Sequence, residues 1–431
     1  MKCIDDEIPF EVPESWEWCR GYSCFEPMIS TKPTDEYFKY IDIESIDNKL
    51  HKIKEPKIIQ SNIAPSRATR QLSTGDTLFS MVRPYLENIA FVDESNADCI
   101  ASTGFYVCKP NIFLESKYCY HLMTSLYVIT GLNHYMKGDN SPSINNDNIL
   151  NWLYPIPPLN EQKRIVTAIE EYQNIIEELN FNKEKLQIAI KQTKSKILDL
   201  AIRGKLVPQD PNDEPASVLL ERIKSQYSES NKKAQKTRDN SHYENLEWNM
   251  PSNWCWCQLS DICDFERGIT FPSSAKTTYK EGNLLPCIRT ANVQEELELE
   301  GLWYIDPIYI KNNKEKLVRN GDIIMSSANS RELVGKTSYV QDIEYDMTFG
   351  GFVLNIRAKG IETKYLFYLL RCYFEKGIFM EESTQTTNIA NINATVLGNL
   401  KIPLPPVKEQ IRITSQIALI LKKLENIMTE L

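Results

Sequence analysis

One ten-residue phrase is written twice in this chain: IPPLNEQKRI at 156–165 and LPPVKEQIRI at 404–413, 248 residues apart. A duplication of this kind constrains the fold before any single motif does, because each copy must build the same supersecondary unit. The phrase closes a longer repeat. FEVPESWEWC (10–19) matches WNMPSNWCWC (248–257), with Pro13, Trp16, Trp18 and Cys19 answering Pro251, Trp254, Trp256 and Cys257. STGDTLFS (73–80) answers RNGDIIMS (319–326), and Lys-Tyr at 117 answers Lys-Tyr at 364. The offset drifts only from 238 to 248, so the order of elements is kept and the insertions are small. One unit of about 200 residues is used twice, which is unlike the 20–50-residue period of a solenoid.

Within each unit the pattern changes at the double proline. Before it, short β-branched and aromatic runs such as TLFSMVR, FYVCKP and DIIMSS alternate with Gly, Asn and Pro, the signature of strands and turns. After it, apolar residues recur at alternating spacings of four and three: Ile165, Ile169, Tyr172, Ile176 and Leu179, then Leu186, Ile190, Ile197 and Leu200, interrupted only at Lys183 and Thr193. The second copy continues the register with Ile413, Ile417, Ile420, Leu424, Ile427 and Leu431. A sustained 3.5-residue average is the coiled-coil pattern. The first helix is expected over 158–203, on the order of 65 Å at 1.5 Å per residue, and Gly204, Pro208 and Pro211 stop it. The second, 406–431, can pair along only part of the first.

The expected architecture is therefore α+β, with a pseudo-two-fold internal repeat: strand-rich domains at 1–157 and 244–405, joined by helices at 158–203 and 406–431 that form an antiparallel coiled coil. Residues 204–243 hold a short helix, with Asp213 as its cap and Pro215 in its first turn, and a polar linker SESNKKAQKTRDNS at 228–241. At the repeated phrase, Pro158 and Pro406 prevent the last strand from running into the helix. Glu161 and Glu409 complement the helix dipole in the first turn.

Composition narrows the function classes. The start MKCIDDEIPF lacks a signal-peptide pattern and no run of about 18 apolar residues occurs, so a cytoplasmic protein without membrane contact is expected. Eleven cysteines at irregular spacings read as reduced thiols, and WCWC at 254–257 has no partner cluster at zinc spacing, so neither metal nor cofactor is expected. The formal charge of −9 disfavours a broad basic face for nucleic acid. It is unevenly distributed: 14 basic and 21 acidic residues over 1–157, 15 and 12 over 158–238, 16 and 22 over 239–405, 4 and 3 over 406–431. DNA binding would need local patches or partner subunits.

The order of strand-rich unit, P-x-P-P-x-x-E-Q-x-R-I, coiled-coil helix, LAIRGKLVPQDPNDEPASVLLERI (200–223), second unit and second such phrase resembles the specificity subunit of type I restriction-modification systems, along essentially the whole chain. The resemblance implies two target-recognition domains, each reading half of an asymmetric bipartite sequence in double-stranded DNA. The helices would set the spacer and dock two modification (methyltransferase) subunits, with restriction (motor and nuclease) subunits joining that core. It implies a chain that directs methylation and cleavage without catalysing either. The short second helix departs from the family pattern.

Base reading requires donors and acceptors on loops or element ends. The first unit offers Ser66, Arg67 and Arg70 in NIAPSRATRQL, Arg83 and Tyr85 in SMVRPYLEN, and Lys137, Asn140 and Ser141 in YMKGDNSPSIN. The second offers Arg289, Thr290 and Asn292 in LPCIRTANV, Asn329, Ser330 and Arg331 in MSSANSRELVGKT, and Gln385, Thr386 and Asn388 in STQTTNIANIN. Catalytic motifs are missing. SRELVGKT (330–337) has Ser330 where a phosphate-binding loop needs its first Gly, and KTSYV continues as a strand rather than a helix. There is no Asn/Asp-Pro-Pro-aromatic methyltransferase motif, no nuclease cluster, and no triad among His51, His121, His134 and His242. The alternative function is a coiled-coil scaffold or a freestanding DNA-binding protein with no methyltransferase partner.

Overall fold

The computed structural model describes residues 4–227, 249–385 and 389–430, which form two compact units, 1–181 and 182–431. The linker expected at 228–241 lies outside the described residues.

In each unit three of the four repeated motifs converge on one joint. The Trp-x-Trp-Cys motif forms the first strand, and the strand just before the double proline pairs with it antiparallel. Glu17–Arg20 lies against Leu153–Ile156 in unit 1, and Cys255–Gln258 against Lys401–Leu404 in unit 2. The Tyr of each Lys-Tyr pair stands on a helix, α1 (Ser116–Met123) in unit 1. Its hydroxyl donates to the proline carbonyl of the closing strand, Tyr118 to Pro155 at 2.9 Å and Tyr365 to Pro403 at 2.8 Å. The strand register places that proline opposite Trp18 or Trp256. Pairing first with last strand closes each repeat, so both ends of the duplicated sequence are fixed by one another.

Unit 1 continues from α1 into α2 (Leu126–Asn133) and then into α3 (Leu159–Ile202), whose 44 residues match the helix expected after the double proline. Unit 2 holds the end of α3, then α4 (Ala216–Gln226), α5 (Thr363–Glu375) and α6 (Val407–Thr429). Asp213 does not cap α4 as expected. Pro215 occupies the cap position without a side-chain bond, and the buried Asp213 carboxylate instead receives Arg412, at 2.6 Å from one guanidinium nitrogen and 3.3 Å from the other.

The strand-rich halves share a framework. Unit 1 has a four-stranded sheet ordered 57–60, 37–41, 100–102, 68–71, with 37–41 and 100–102 parallel. Unit 2 has the order 276–277, 303–305, 285–288, 348–349, again with one parallel pair, 285–288 and 348–349. A second sheet follows in each, 105–108, 77–80, 89–91 in unit 1 and 263–267, 353–358, 323–326, 337–339 in unit 2. Unit 2 adds a small sheet of 328–329, 390–391 and 384–385.

The seam residues are covered unevenly. Ile165 packs on the core of unit 1 and Ile169 is half-buried. Tyr172, Ile176 and Leu179 are 68, 56 and 62% exposed, and Leu186 is 38% exposed. In unit 2, Ile190 and Ile197 are buried, and Ile197, Leu198, Ala201 and Ile202 share a core with Ile413 and Ile417 of α6. Ile420 and Leu424 pack on its edge, whereas Ile427 is 42% exposed. The reason is length. α6 has 23 residues against 44 for α3, and its apolar stripe also serves α5, so it covers only the last turns of α3 within unit 2.

The ten described cysteines are free thiols. Among the described residues, no helix is long and apolar enough to cross a membrane.

Candidate nucleic-acid interface

In unit 1 two loops predicted separately are brought together. Arg83 takes a left-handed backbone, φ 48°, followed by Pro84 at the start of a one-turn helix. Its N–H donates to the Pro142 carbonyl at 2.8 Å, and its guanidinium to the Asn140 carbonyl at 2.7 Å. Ser143 bridges both Val82 and Lys137. Arg83, Tyr85, Lys137, Asn140 and Ser141 thus belong to one exposed loop pair. A left-handed non-glycine residue is strained, and such strain is held where surrounding structure over-determines the backbone.

Ser66, Arg67 and Arg70 come instead from the edge of the four-stranded sheet. Ser66 and Arg67 expose their side chains, and the Arg67 carbonyl accepts from Thr103 N–H at 2.9 Å. Arg70 is half-buried, its Nε has no hydrogen-bond partner among the described residues, and burial lowers its pKa.

In unit 2, Arg289 and Thr290 follow strand 285–288 and are half-buried. Asn292 is buried: its Oδ1 accepts from Arg289 N–H at 3.1 Å and its Nδ2 donates to the Glu300 carbonyl at 2.8 Å. Its side chain therefore holds the turn that presents Arg289. Asn329 likewise engages its neighbours, donating to Ser326 Oγ at 3.1 Å and accepting from Ser330 N–H at 2.8 Å, while Ser330 and Arg331 are exposed. The hairpin of 384–385 and 390–391 is hydrogen-bonded beside 328–329, which sets the backbone of Gln385 next to that loop. Thr386 and Asn388 lie outside the described residues. Beyond Arg331 the chain enters strand Thr337–Tyr339, so SRELVGKT does not open a phosphate-binding helix.

Phe352, 62% exposed, links the two sets in unit 2. Its carbonyl accepts from Ser327 N–H at 3.0 Å, and it lines a cleft with Arg289 and Thr290. Residue-level reading missed Phe352, Arg267, Lys276 and Trp303 in that cleft, because they come from separate stretches with no shared spacing.

It also missed the glutamine of the repeated phrase. Gln162 accepts from Glu115 N–H at 2.7 Å and donates to the Phe113 and Pro157 carbonyls at 2.9 and 2.8 Å. Gln410 accepts from Glu362 N–H at 2.8 Å and donates to the Pro405 carbonyl at 2.8 Å. Both are fully buried. Next to Gln410, burial raises the Glu409 carboxyl above its ordinary pKa against the opposing effect of bonds from Trp254 Nε1, at 2.9 Å, and Gln209. These buried side chains tie each strand-rich unit to the start of its helix; they are not available to DNA.

The family model for the type I restriction modification DNA specificity domain matches this chain twice, over residues 27–188 and 251–431. The EcoAI type I restriction enzyme specificity subunit of Escherichia coli is 25% identical, over 96% of this chain and 78% of its own length. The crystal structure of the HsdS subunit from Thermoanaerobacter tengcongensis superposes with a TM-score of 0.66 at 26% identity, covering 97% of this chain and 92% of that one. A further chain, from a structural study of complex assembly and conformational transition in the type I R-M system, gives 0.68 at 28% identity, with 97 and 93% covered.

Proposed function

The chain belongs to the type I restriction-modification DNA specificity family, so its task is DNA target recognition for subunits that carry the catalysis; from that premise we propose that each strand-rich unit reads one half of a bipartite, asymmetric target. The observation that carries this reading is one framework presenting different loops twice. Similar joints, with Gln162 and Gln410 each donating to the carbonyl of the first proline of the double proline, hold units whose candidate DNA-contacting loops differ in sequence. Arg83, Tyr85, Lys137, Asn140 and Ser141, with Ser66, Arg67 and Arg70, serve the first half-site. Arg289, Thr290 and the loop of Ser330 and Arg331, with the hairpin of Gln385, serve the second. Asn292 and Asn329 support those loops.

The helices take the other part of the task. A two-fold DNA reader must hold its modules at a separation matched to helical repeat, about 34 Å per turn, and a rigid 44-residue helix supplies such a spacer. Two modification subunits dock along it, and restriction subunits join them. The exposed apolar residues Tyr172, Ile176 and Leu179 support this docking, since an apolar helical stripe in water favours a partner.

The test is base-resolution methylation mapping in a methylation-free host that expresses this chain with its modification subunit, against the modification subunit alone. An asymmetric two-part motif with a fixed gap is the expected result. Soluble, associated proteins that add no methylation would overturn the reading in favour of a scaffold.

A further inference from the structure

The cleft in unit 2 has a volume of about 310 Å³ and carries Arg267, Lys276 and Arg289 in its lining, together with the hydroxyls of Thr270, Ser273 and Thr290. Among the described residues no carboxylate lines it. This is unexpected in a stretch where acidic residues outnumber basic ones. Among the described residues none of the three cations takes part in an ion pair. Lys276 Nζ instead stands 3.7 Å from the centre of the Trp303 ring, and the Arg289 guanidinium carbon 5.7 Å from it. The indole attracts both cations and holds them on one side chain despite their mutual repulsion. The Nε of Arg289 is buried with no hydrogen-bond partner among the described residues. Gly350 and Gly351 add no side chain to the lining, and Arg267 Nε donates to the Gly351 carbonyl at 3.5 Å, which holds that guanidinium at the cleft.

The internal repeat supplies a control. Ile41 and Ile288 hold the same place, each in the parallel strand pair of its sheet, facing Ala101 and Phe349. Each is followed by a charged residue and a one-turn helix, Asp42 with 43–45 and Arg289 with 290–292. On the neighbouring antiparallel strand, Lys57 occupies the place of Trp303. In unit 1 that site neutralises itself, with Lys57 bonded to Asp42 and, at 2.8 Å, to Glu44. In unit 2 the same framework position carries positive charge with no counter-charge among the described residues. The framework does not require the cations, so they answer to something outside the chain.

We propose that this cleft seats a backbone phosphate of the DNA target, ion-paired by Arg267 and Lys276 and hydrogen-bonded by Arg289, with Trp303 as the platform that orders the cations. The inference rests on the DNA-reading function above and adds which face of unit 2 meets the duplex. It also makes the contact sequence-independent and confined to the second unit, because phosphate contacts set register and carry no base identity.

The experiment uses the full chain assembled with its modification subunits. Binding is measured against a duplex carrying the methylation-defined target and against a scrambled duplex, across a range of salt. Arg267→Gln and Lys276→Gln, both at exposed positions, are each expected to loosen both duplexes by a similar factor, roughly tenfold at moderate salt. Each should lower the slope of log affinity against log salt by about one, while the methylated sequence stays the same. Trp303→Phe, which keeps a ring beneath the cations, should retain most of the binding, and Trp303→Leu should reproduce the cation variants.

Variants that assemble and melt like the parent yet keep its affinity and salt slope would overturn the phosphate seat. So would a loss limited to the target duplex, which would make the cleft a base reader. A parent complex that neither methylates nor binds any bipartite sequence would sink the DNA-reading function itself, and the seat with it.

Discussion

Asp76 and Asp322 show how one residue in one framework can differ electrostatically between the copies. Each follows a glycine with φ of 92° in the repeated Gly-Asp turn, and each accepts from a backbone N–H three residues earlier, Ser73 at 2.8 Å and Arg319 at 2.9 Å. Asp322 also receives Arg357, at 2.9 and 3.0 Å, and Asn355 at 2.6 Å. At the place of Arg357, 248 residues earlier, stands Lys109, whose ammonium bonds Ser73 Oγ at 2.9 Å instead. Burial with so little compensation pushes the Asp76 carboxyl up to about 6, the nearby Lys109 charge opposing the shift only weakly. The raised value means that the folded state binds the proton more tightly than the unfolded chain. Asp76 therefore contributes most stability below about pH 4, and this is lost as pH rises through about 6, on the order of 2–3 kcal/mol. Asp76→Asn keeps the turn's acceptor without the titration, so its stability relative to the parent should rise from pH 4.5 to 7.5 in urea unfolding. Lys109→Arg, restoring the guanidinium of the other copy, should flatten the pH dependence in the same direction. A stability difference that stays constant with pH would refute the assignment.

At the scale of elements, the joint between each unit and its helix is the most strongly specified part of the molecule. Gln410 joins the start of α6 to the N-terminus of α5 through Glu362 N–H and closes the turn through Pro405. Gln410→Ala leaves a buried donor and acceptor without partners and should cost about 2–4 kcal/mol. Tyr365→Phe removes the donor to Pro403 and should cost about 1 kcal/mol. Denaturant unfolding of both, beside Lys408→Ala on the exposed side, checks the order; a Gln410→Ala variant as stable as Lys408→Ala would remove the glutamine from the joint. The repeat made these positions visible in the sequence, and the helix starts lay within a residue of those expected. The bonding was not legible, because Gln162 and Glu161 look equally polar until burial separates them. The helix seam was legible as periodicity but not in its partners. Ile413 and Ile417 have the same spacing as Tyr172 and Ile176, yet the first pair is buried in a globular core and the second is exposed. Loop side chains were least legible of all: Asn292 and Ser330 are both candidate base contacts by type, and only three-dimensional placement shows that Asn292 is buried, bonded to Arg289 N–H and the Glu300 carbonyl, while Ser330 is exposed.

For the whole molecule, if each unit reads one half-site, as proposed, the two readings should be independent. Additivity holds for sites that share no partners, and Arg331 is exposed in unit 2, two residues beyond Asn329, whose strand pairs with 390–391. Arg331→Ala should therefore relax recognition in one half-site only. If it contacts a base, the loss is about 1–3 kcal/mol at one position, roughly ten- to a hundredfold in affinity for the cognate pair. The measurement is a single-base substitution profile across the complete bipartite target, for parent and variant complexes, read by methylation rate. Flattening at one or two adjacent positions of one half-site, with the other half and the gap unchanged, is the expected outcome. The corresponding Arg83→Ala variant should flatten the opposite half, giving complementary profiles. Equal loss at both halves would mean that Arg331 supports the assembly rather than the reading, since a defect in docking or helix geometry weakens every position at once.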